Sequence, residues 1–405
     1  MFTEYSAMEY LMIDVANSFG LDKITFPERI QWVKDNHKDL FKIADKADNF
    51  HLYTKSVLSL RKAIQTGHTN HMVALDACCS GTQLLSVMTG DVNAAYYVGL
   101  VDPDKRMDAY GELFNIMNDK LTVNDKLDPK MGRQALKDAF MTVWYQSTYQ
   151  PIKIFGEDTP QLIAFYTAIQ EMCAGPWAFL QAVKRVNFLD KTKTRHKWLM
   201  PDGSHIHLIA REVLKARISV EELPTAGGSS SSFTHQYNVE QWHQHYKALG
   251  ARIVHSADSY VLKEMIRRAK HDKRAVDYVL GLTSDAKITD NSAIVSAVEF
   301  DNIYSDKRRV NELSESQLAK LHRMGLMLID QPNFDISTVH DSFKSLPQHC
   351  NSVRRNYNEV LAELAESNIL SVIMSNLFQE HVQWTKFPNH QDLPNLIRNS
   401  NYALS

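Results

Sequence analysis

The sequence predicts an α/β protein in the loose sense, mostly helical, with a few short strands. Three observations carry this. Apolar residues recur at helical spacing over 1–70, 103–150, 158–190 and 353–381. Two short β-like runs, "HMVALD" (71–76) and "ISTVHD" (336–341), each end in an acid. A third strand-like stretch folds back around the turn Pro201–Asp202–Gly203.

Composition sets the frame. The chain has 405 residues, 44% hydrophobic and 23% charged, which is ordinary for a globular protein and excludes a disordered one. There is no run of about 18 apolar residues, so no segment is expected to span a membrane. The first twenty residues carry acids where a signal peptide needs lysines. The four cysteines, Cys78, Cys79, Cys173 and Cys350, form no Cys-x-x-Cys pair. That argues against a zinc site or a disulfide framework and suits a reducing, cytoplasmic setting. A formal net charge of −2 is silent on nucleic acid, so any basic footprint must be local or come from another chain.

Taken in order, residues 1–70 read as helical, with Pro27 at a first helical position. Ile30, Val33, Leu40, Phe41 and Ile43 form an apolar face. "HMVALD" reads as a buried strand. A helix is expected from Ser80, with a capping-box pattern at Ser80 and Gln83. Residues 103–150 carry two helical patterns, the second ending before Pro151. "TAGGSSSSFTH" (225–235) reads as a small, polar, flexible loop. Helix returns over 239–275. Residues 280–315 read as polar and irregular, residues 353–381 as one helix, and the C-terminal "LPNLIRNSNYALS" as an amphipathic tail.

Four segments could carry chemistry. In "ALDACCSGTQ" a strand delivers Asp76, and small residues follow that let a ligand approach the backbone. The same string also suits a plain strand-to-helix turn. On the next helix Arg133, Lys137, Met141 and Tyr145 fall four apart, on one stripe. Two cations and a phenol suit a triphosphate and a sugar or base; a half-solvated helix with Met and Tyr in the core fits as well. In "ARIVHSADSYV", His255 follows a short apolar run and precedes a helix, where a structural histidine is equally at home. In "TVHDSF", Asp341 is either a turn residue or a second strand-end acid. Paired with Asp76 it would complete a two-carboxylate magnesium site, which phosphoryl and nucleotidyl transfer use.

These segments, in this order, resemble the single-subunit RNA polymerases of T-odd phages and mitochondria. "DACCSGTQ" resembles the first palm motif of that family, "RQALKDAFMTVWYQS" its fingers-helix motif, "IVHSADS" its Val-His-Ser-x-Asp segment and "VHDSF" its second palm motif. "ANSFGLDKITFPERIQWVKDNH", "WLMPDG" and the tail "SNYAL" extend the likeness over most of the chain. The resemblance implies a right-hand polymerase palm with a small antiparallel sheet and helical fingers. Asp76 and Asp341, with the Ala77 carbonyl as a further ligand, would bind two magnesium ions. Arg133 and Lys137 would hold the incoming triphosphate, and Lys137 would protonate the leaving pyrophosphate. Tyr145 and His255 would sit beside the ribose and favour a 2′-hydroxyl. His340 would support the second acid. Ser342 stands where related A-type DNA polymerases usually carry Glu, which favours RNA synthesis over a DNA polymerase fragment.

There are departures. Ala77 and Gln146 replace glycines, and Leu84 stands where His is common. The stretch between His255 and His340 is longer than in the family, so an inserted partner- or factor-binding element is expected there. The promoter-binding domain, the thumb and an upstream Gly-Arg motif are expected to be missing. The chain therefore also resembles the large subunit of a split, two-subunit middle-gene polymerase of the coliphage N-four type. Its partners would be a smaller subunit supplying the missing half, template DNA, transcript, ribonucleoside triphosphates and a promoter-opening factor. Its place would be the cytoplasm of the infected host. The expected division is a first palm part over 1–125, fingers over 126–275, an insertion and return over 276–335, and the second acid with a C-terminal foot over 336–405. The contrasting reading is a non-catalytic nucleic-acid-binding subunit with a relic palm.

Overall fold

The computed structural model describes residues 1–128, 132–189, 194–224, 230–241 and 248–405. Helices and small antiparallel sheets alternate along the chain, as the composition and periodicity predict. Three helices open it: Ala7–Phe19, Phe26–Asn36 and Phe50–Thr66. Ser6 with Glu9, and Thr25 with Glu28, form capping boxes that satisfy the first free amides of the first two. Ile30 and Val33 are buried on the second helix, but that helix ends at Asn36, so Leu40 joins the core from a turn.

Strand β1 (Val73–Asp76) is the first strand of a three-stranded antiparallel sheet. Its partners come from the far end of the chain: β6 (Ser337–Val339) and β7 (Ser342–Ser345), in the order β1-β7-β6. Val339 pairs with Ser342, so His340 and Asp341 are the two-residue turn of a hairpin. His340 has φ +54, the left-handed geometry that such tight turns favour. Asp341 thus sits at a hairpin tip, not at the end of one long strand. The paired strands β2 (Arg195–Leu199) and β3 (His205–Ile209) flank the predicted turn at Pro201–Gly203. The long strands β4 (Arg211–Pro224) and β5 (Ser230–Glu240) form a third hairpin.

Several expectations are corrected. The stretch 225–235 is not one loop: Ser230 to His235 lie in β5, and 225–229 lie outside the described residues. The helix expected to end just before Pro151 stops at Val143, and a new one, Tyr149–Phe155, carries Pro151 in its first turn, where no amide is needed. His255 lies inside a helix, Ala248–Ala269, rather than before one. The single helix expected over 353–381 is two, Cys350–Glu366 and Ile369–Phe378, broken where the Ser367 hydroxyl donates back to the Leu364 carbonyl. The segment 280–315 is only partly irregular, since it contains the helix Val298–Ser305 and a 3-10 turn, Lys307–Glu312.

One core runs from Tyr10 to Leu404 and holds the three-stranded sheet. A second, separate core is built from Ala275 to Leu328, around Val279, Phe300 and Met324. Its helices, Lys273–Thr283, Val298–Ser305 and Glu315–Ile329, meet chiefly one another. Among the described residues no single helix is long and apolar enough to cross a membrane.

Candidate active site

The sheet brings the two acids together. Asp76 is paired in register with Ser342, the residue after Asp341. The Ala77 amide donates to the Asp341 carbonyl at 3.1 Å. On its other side β1 meets the chain terminus. The Asp76 amide donates to the Ser405 carbonyl at 3.3 Å, and the Ser405 amide donates back to Asp76 at 3.0 Å. Beneath, Gln83 holds this floor in place. Its Nε2 donates to the carbonyls of Val98 and Ala403, and its Oε1 accepts from the Tyr357 hydroxyl at 2.7 Å. The capping-box expectation for Ser80 and Gln83 is therefore corrected. Cys79 takes the N-cap place of Ser80–Thr89 with φ +59 and no side-chain cap, and Gln83 is released to the core.

Asp76, Ala77 and Asp341 line a cavity of about 1080 Å³ together with Lys137. Lys23 and Arg106 line it too, and neither stands out in the sequence. Lys23 rides on the loop between the first two helices. The buried Arg29 guanidinium fixes that loop by donating to Asn17 Oδ1 and to the carbonyls of Asp22 and Ile24. Lys137 projects from the helix Gly132–Val143, as the stripe predicts, with Met141 one turn on. Arg133 is on the same helix, but its side chain lies outside the described residues.

The helix ends in a Schellman motif. The Gln146 amide donates to the Val143 carbonyl and the Ser147 amide to the Thr142 carbonyl. The motif needs a left-handed residue, and Gln146 supplies it at φ +62. That explains why a glycine suits this place. Here glutamine accepts a left-handed cost of about 1–2 kcal/mol. Its amide is buried against Gly250, with neither polar atom partnered among the described residues. Cys79, Gln146 and His340, all at the site, are three of the six non-glycine left-handed residues among those described.

The same turn presents Tyr145. Its ring lies 5.1 Å from that of His255, and its hydroxyl sits where a Cβ on Gly81 would come within 3.2 Å. Burial, then the charges of Asp258 and Asp341, push the phenol up to about 12, so it stays a hydrogen-bond donor at any working pH. Burial, then Arg252 and His340, lower the His255 value, favouring the neutral ring. Asp258, one helical turn beyond His255, is raised by burial and then by the charge of Asp341. The sequence hides this acid as long as His255 is taken to precede the helix. Placed inside the helix, the i, i+3 spacing puts both residues on one face. His340 is exposed and acts on both His255 and Asp258 through its charge.

The donor set fits a hard cation. Among the described residues there is no group of three or more His, Cys, Asp or Glu side chains able to hold a metal alone. Two carboxylates lining a wide cavity suit magnesium, which keeps waters and takes substrate oxygens. They do not suit zinc, which wants a closed set of nitrogen and sulfur ligands.

Comparison with known proteins points the same way. Residues 3–158 match the family model for DNA-dependent RNA polymerase. The chain is 30% identical to the DNA-directed RNA polymerase of Pseudomonas phage phiKMV over 129 residues, 28% of this chain and 16% of the relative. It is 26% identical to the mitochondrial DNA-directed RNA polymerase of Schizosaccharomyces pombe over 165 residues, 35% of this chain and 14% of the relative. It is 23% identical to the DNA-directed RNA polymerase of Enterobacteria phage K11 over 368 residues, 71% of this chain and 40% of the relative. The chain thus spans less than half the length of these relatives. The class of protein it resembles, most clearly over residues 3–158, is the DNA-directed RNA polymerase of phages and mitochondria.

Proposed function

We propose that this chain is the catalytic subunit of a DNA-directed RNA polymerase. The observation that carries the proposal is the adjacency of Asp76, at the end of β1, and Asp341, at the tip of the neighbouring β6–β7 hairpin, both lining one cavity with Lys137. The reaction is attack of an RNA 3′-hydroxyl on the α-phosphate of a template-selected ribonucleoside triphosphate. The α–β phosphoanhydride bond breaks and pyrophosphate leaves. Two magnesium ions held by Asp76, Asp341 and the Ala77 carbonyl would neutralise charge on the attacking and leaving oxygens. The chain's own groups do the rest. Lys137 and Arg133 hold the triphosphate, and Lys137 delivers a proton to the pyrophosphate. Tyr145 and His255 read the sugar, and His340 supports the hairpin that carries Asp341. Positioning and charge neutralisation account for most of the catalysis.

A smaller second subunit would complete the channel around template and transcript. The near-neutral charge supports this, because backbone-tracking cations must come from somewhere. The unit with its own core over 275–328 would be the insertion that meets a partner or promoter-opening factor, and the cytoplasm of an infected bacterium the place of action.

Asp341→Asn tests the central claim. We expect it to abolish magnesium-dependent nucleotide incorporation by the assembled enzyme and to leave the thermal midpoint unchanged. Near-normal incorporation would remove the metal assignment. A wild-type assembly that binds nucleic acid yet never incorporates nucleotides would favour the relic-palm reading. Co-purification from the native host would identify the second chain.

A further inference from the structure

The cavity has a third cationic wall that the stripe Arg133–Lys137 does not account for. Arg106 stands in the loop before the helix Ala109–Lys120 and lines the cavity that holds Asp76, Asp341, Lys23 and Lys137. Its Nη1 lies 3.3 Å from Cys78 Sγ and donates to the Met107 carbonyl at 2.6 Å. Cys78 is the second residue after Asp76, on the turn that leaves the sheet. The guanidinium is therefore fixed at the turn that leaves Asp76, on the lining of the cavity that both acids share. The hydrogen bonds it makes among the described residues all leave from Nη1. Its Nε is buried without a partner among them. Nη2 makes none of these bonds and is the edge left to meet an acceptor from the cavity. Asp22 and Asp108 act on Arg106 through their charges.

We propose that Arg106 is a substrate-binding residue that grips the β- and γ-phosphates of the incoming nucleotide from the wall opposite the fingers helix. This deepens the polymerase reading and rests on it. A guanidinium fits the task because it stays charged at any working pH and, with Nη1 anchored, presents Nη2 from a fixed position, while Lys23 and Lys137 act as point charges. The nucleotide's tail is then held between Lys137 on one side and Arg106 on the other.

Two experiments on the chain assembled with its co-purified second subunit test this. In the first, the wild-type protein is treated with phenylglyoxal, with and without magnesium ATP or inorganic tripolyphosphate, and Arg106 modification is followed by mass spectrometry. Protection by both ligands, and none by AMP, is expected. In the second, ATP and AMP affinities are measured for wild type, Arg106→Gln and Arg106→Lys. Arg106→Gln should weaken ATP binding by about tenfold or more, the usual scale for a lost charge-assisted contact, and leave AMP binding unchanged. Arg106→Lys should fall between. A wild type that binds ATP while Arg106 is unprotected, or that binds it equally well as Arg106→Gln, overturns this proposal and leaves the polymerase reading standing. A wild type that binds no triphosphate at all overturns both.

Discussion

The rings of Tyr145 and His255 stand 5.1 Å apart and tilted by 36°, joining the turn after the helix Gly132–Val143 to the helix Ala248–Ala269. The Tyr145 hydroxyl is the polar end of this pair. Tyr145→Phe should keep the ring contact and lose one hydrogen bond, worth about 1 kcal/mol or roughly fivefold. The ratio of ribo- to deoxyribonucleotide incorporation should fall by that factor. An unchanged ratio would take the sugar-reading role away from Tyr145.

Gln146 and Gly250 should be energetically coupled. A Cβ on Gly250 would lie 2.8 Å from Gln146 Cδ, so Gly250→Ala should overpack this contact. A loss of about 1–3 kcal/mol is expected, in spite of alanine's better helix propensity. Gln146→Gly relieves the left-handed cost and removes the side chain that clashes. The double variant should therefore recover most of the loss, read from urea-unfolding midpoints in a double-mutant cycle. Purely additive effects would place the strain elsewhere.

Arg268 sits at 1% exposure between two carboxylates, 2.6 Å from Glu363 and 3.3 Å from Glu264. Glu264 also accepts from the Ser296 hydroxyl and the Ala297 amide, and so ties the 275–328 unit to the main body. Arg268→Met would leave the buried Glu363 without its counter-charge, while Glu264 keeps Arg267 at 3.2 Å. A destabilisation of about 3–5 kcal/mol is expected. Hydrogen exchange should accelerate first near Ser296, where the tie is made. Uniform acceleration across the chain would argue against a local tie.

Lys386 gives an alkaline signature. Burial lowers it to about 8, against an ordinary value of 10.5. Between these values the unfolded chain keeps the proton that the folded chain has released. Stability contributed by this group must therefore rise as pH climbs from about 8 to 10.5, and the full cost of the buried charge is present below about 8. Cys350, raised by burial to about 12, also titrates differently in the two states above its ordinary value of 9.0, so the test must be a difference. The stability gap between wild type and Lys386→Met should shift in favour of wild type over that window. A pH-independent gap would refute the lowered value.

Much of this site is legible in the chain. Asp76, Asp341, Lys137 and Tyr145 stand out because motif order and helical spacing are sequence properties. What stays hidden depends on backbone geometry or on long-range packing. Arg106 lies in "DPDKRMD", which reads as a solvated charge run until the fold turns it inward. Gln83 matches a capping pattern, yet distant carbonyls at Val98 and Ala403 hold it instead of its own helix. The 353–381 pattern is continuous in hydrophobicity, and periodicity alone does not reveal the break at Ser367. The 280–315 segment reads as irregular because the one α-helix wholly within it, Val298–Ser305, is short and flanked by polar turns.

The pairing of β1 with β7 has a kinetic consequence. Asp76 and Asp341 are far apart in sequence, and Ser405 closes on Asp76 across an even longer span. Contacts of such high order come late, because the chain must first lose the entropy of closing these loops. No early folding fragment therefore carries a half-built candidate site. The site forms only when β1, the β6–β7 hairpin and Ser405 have come together, so its assembly reports completed folding.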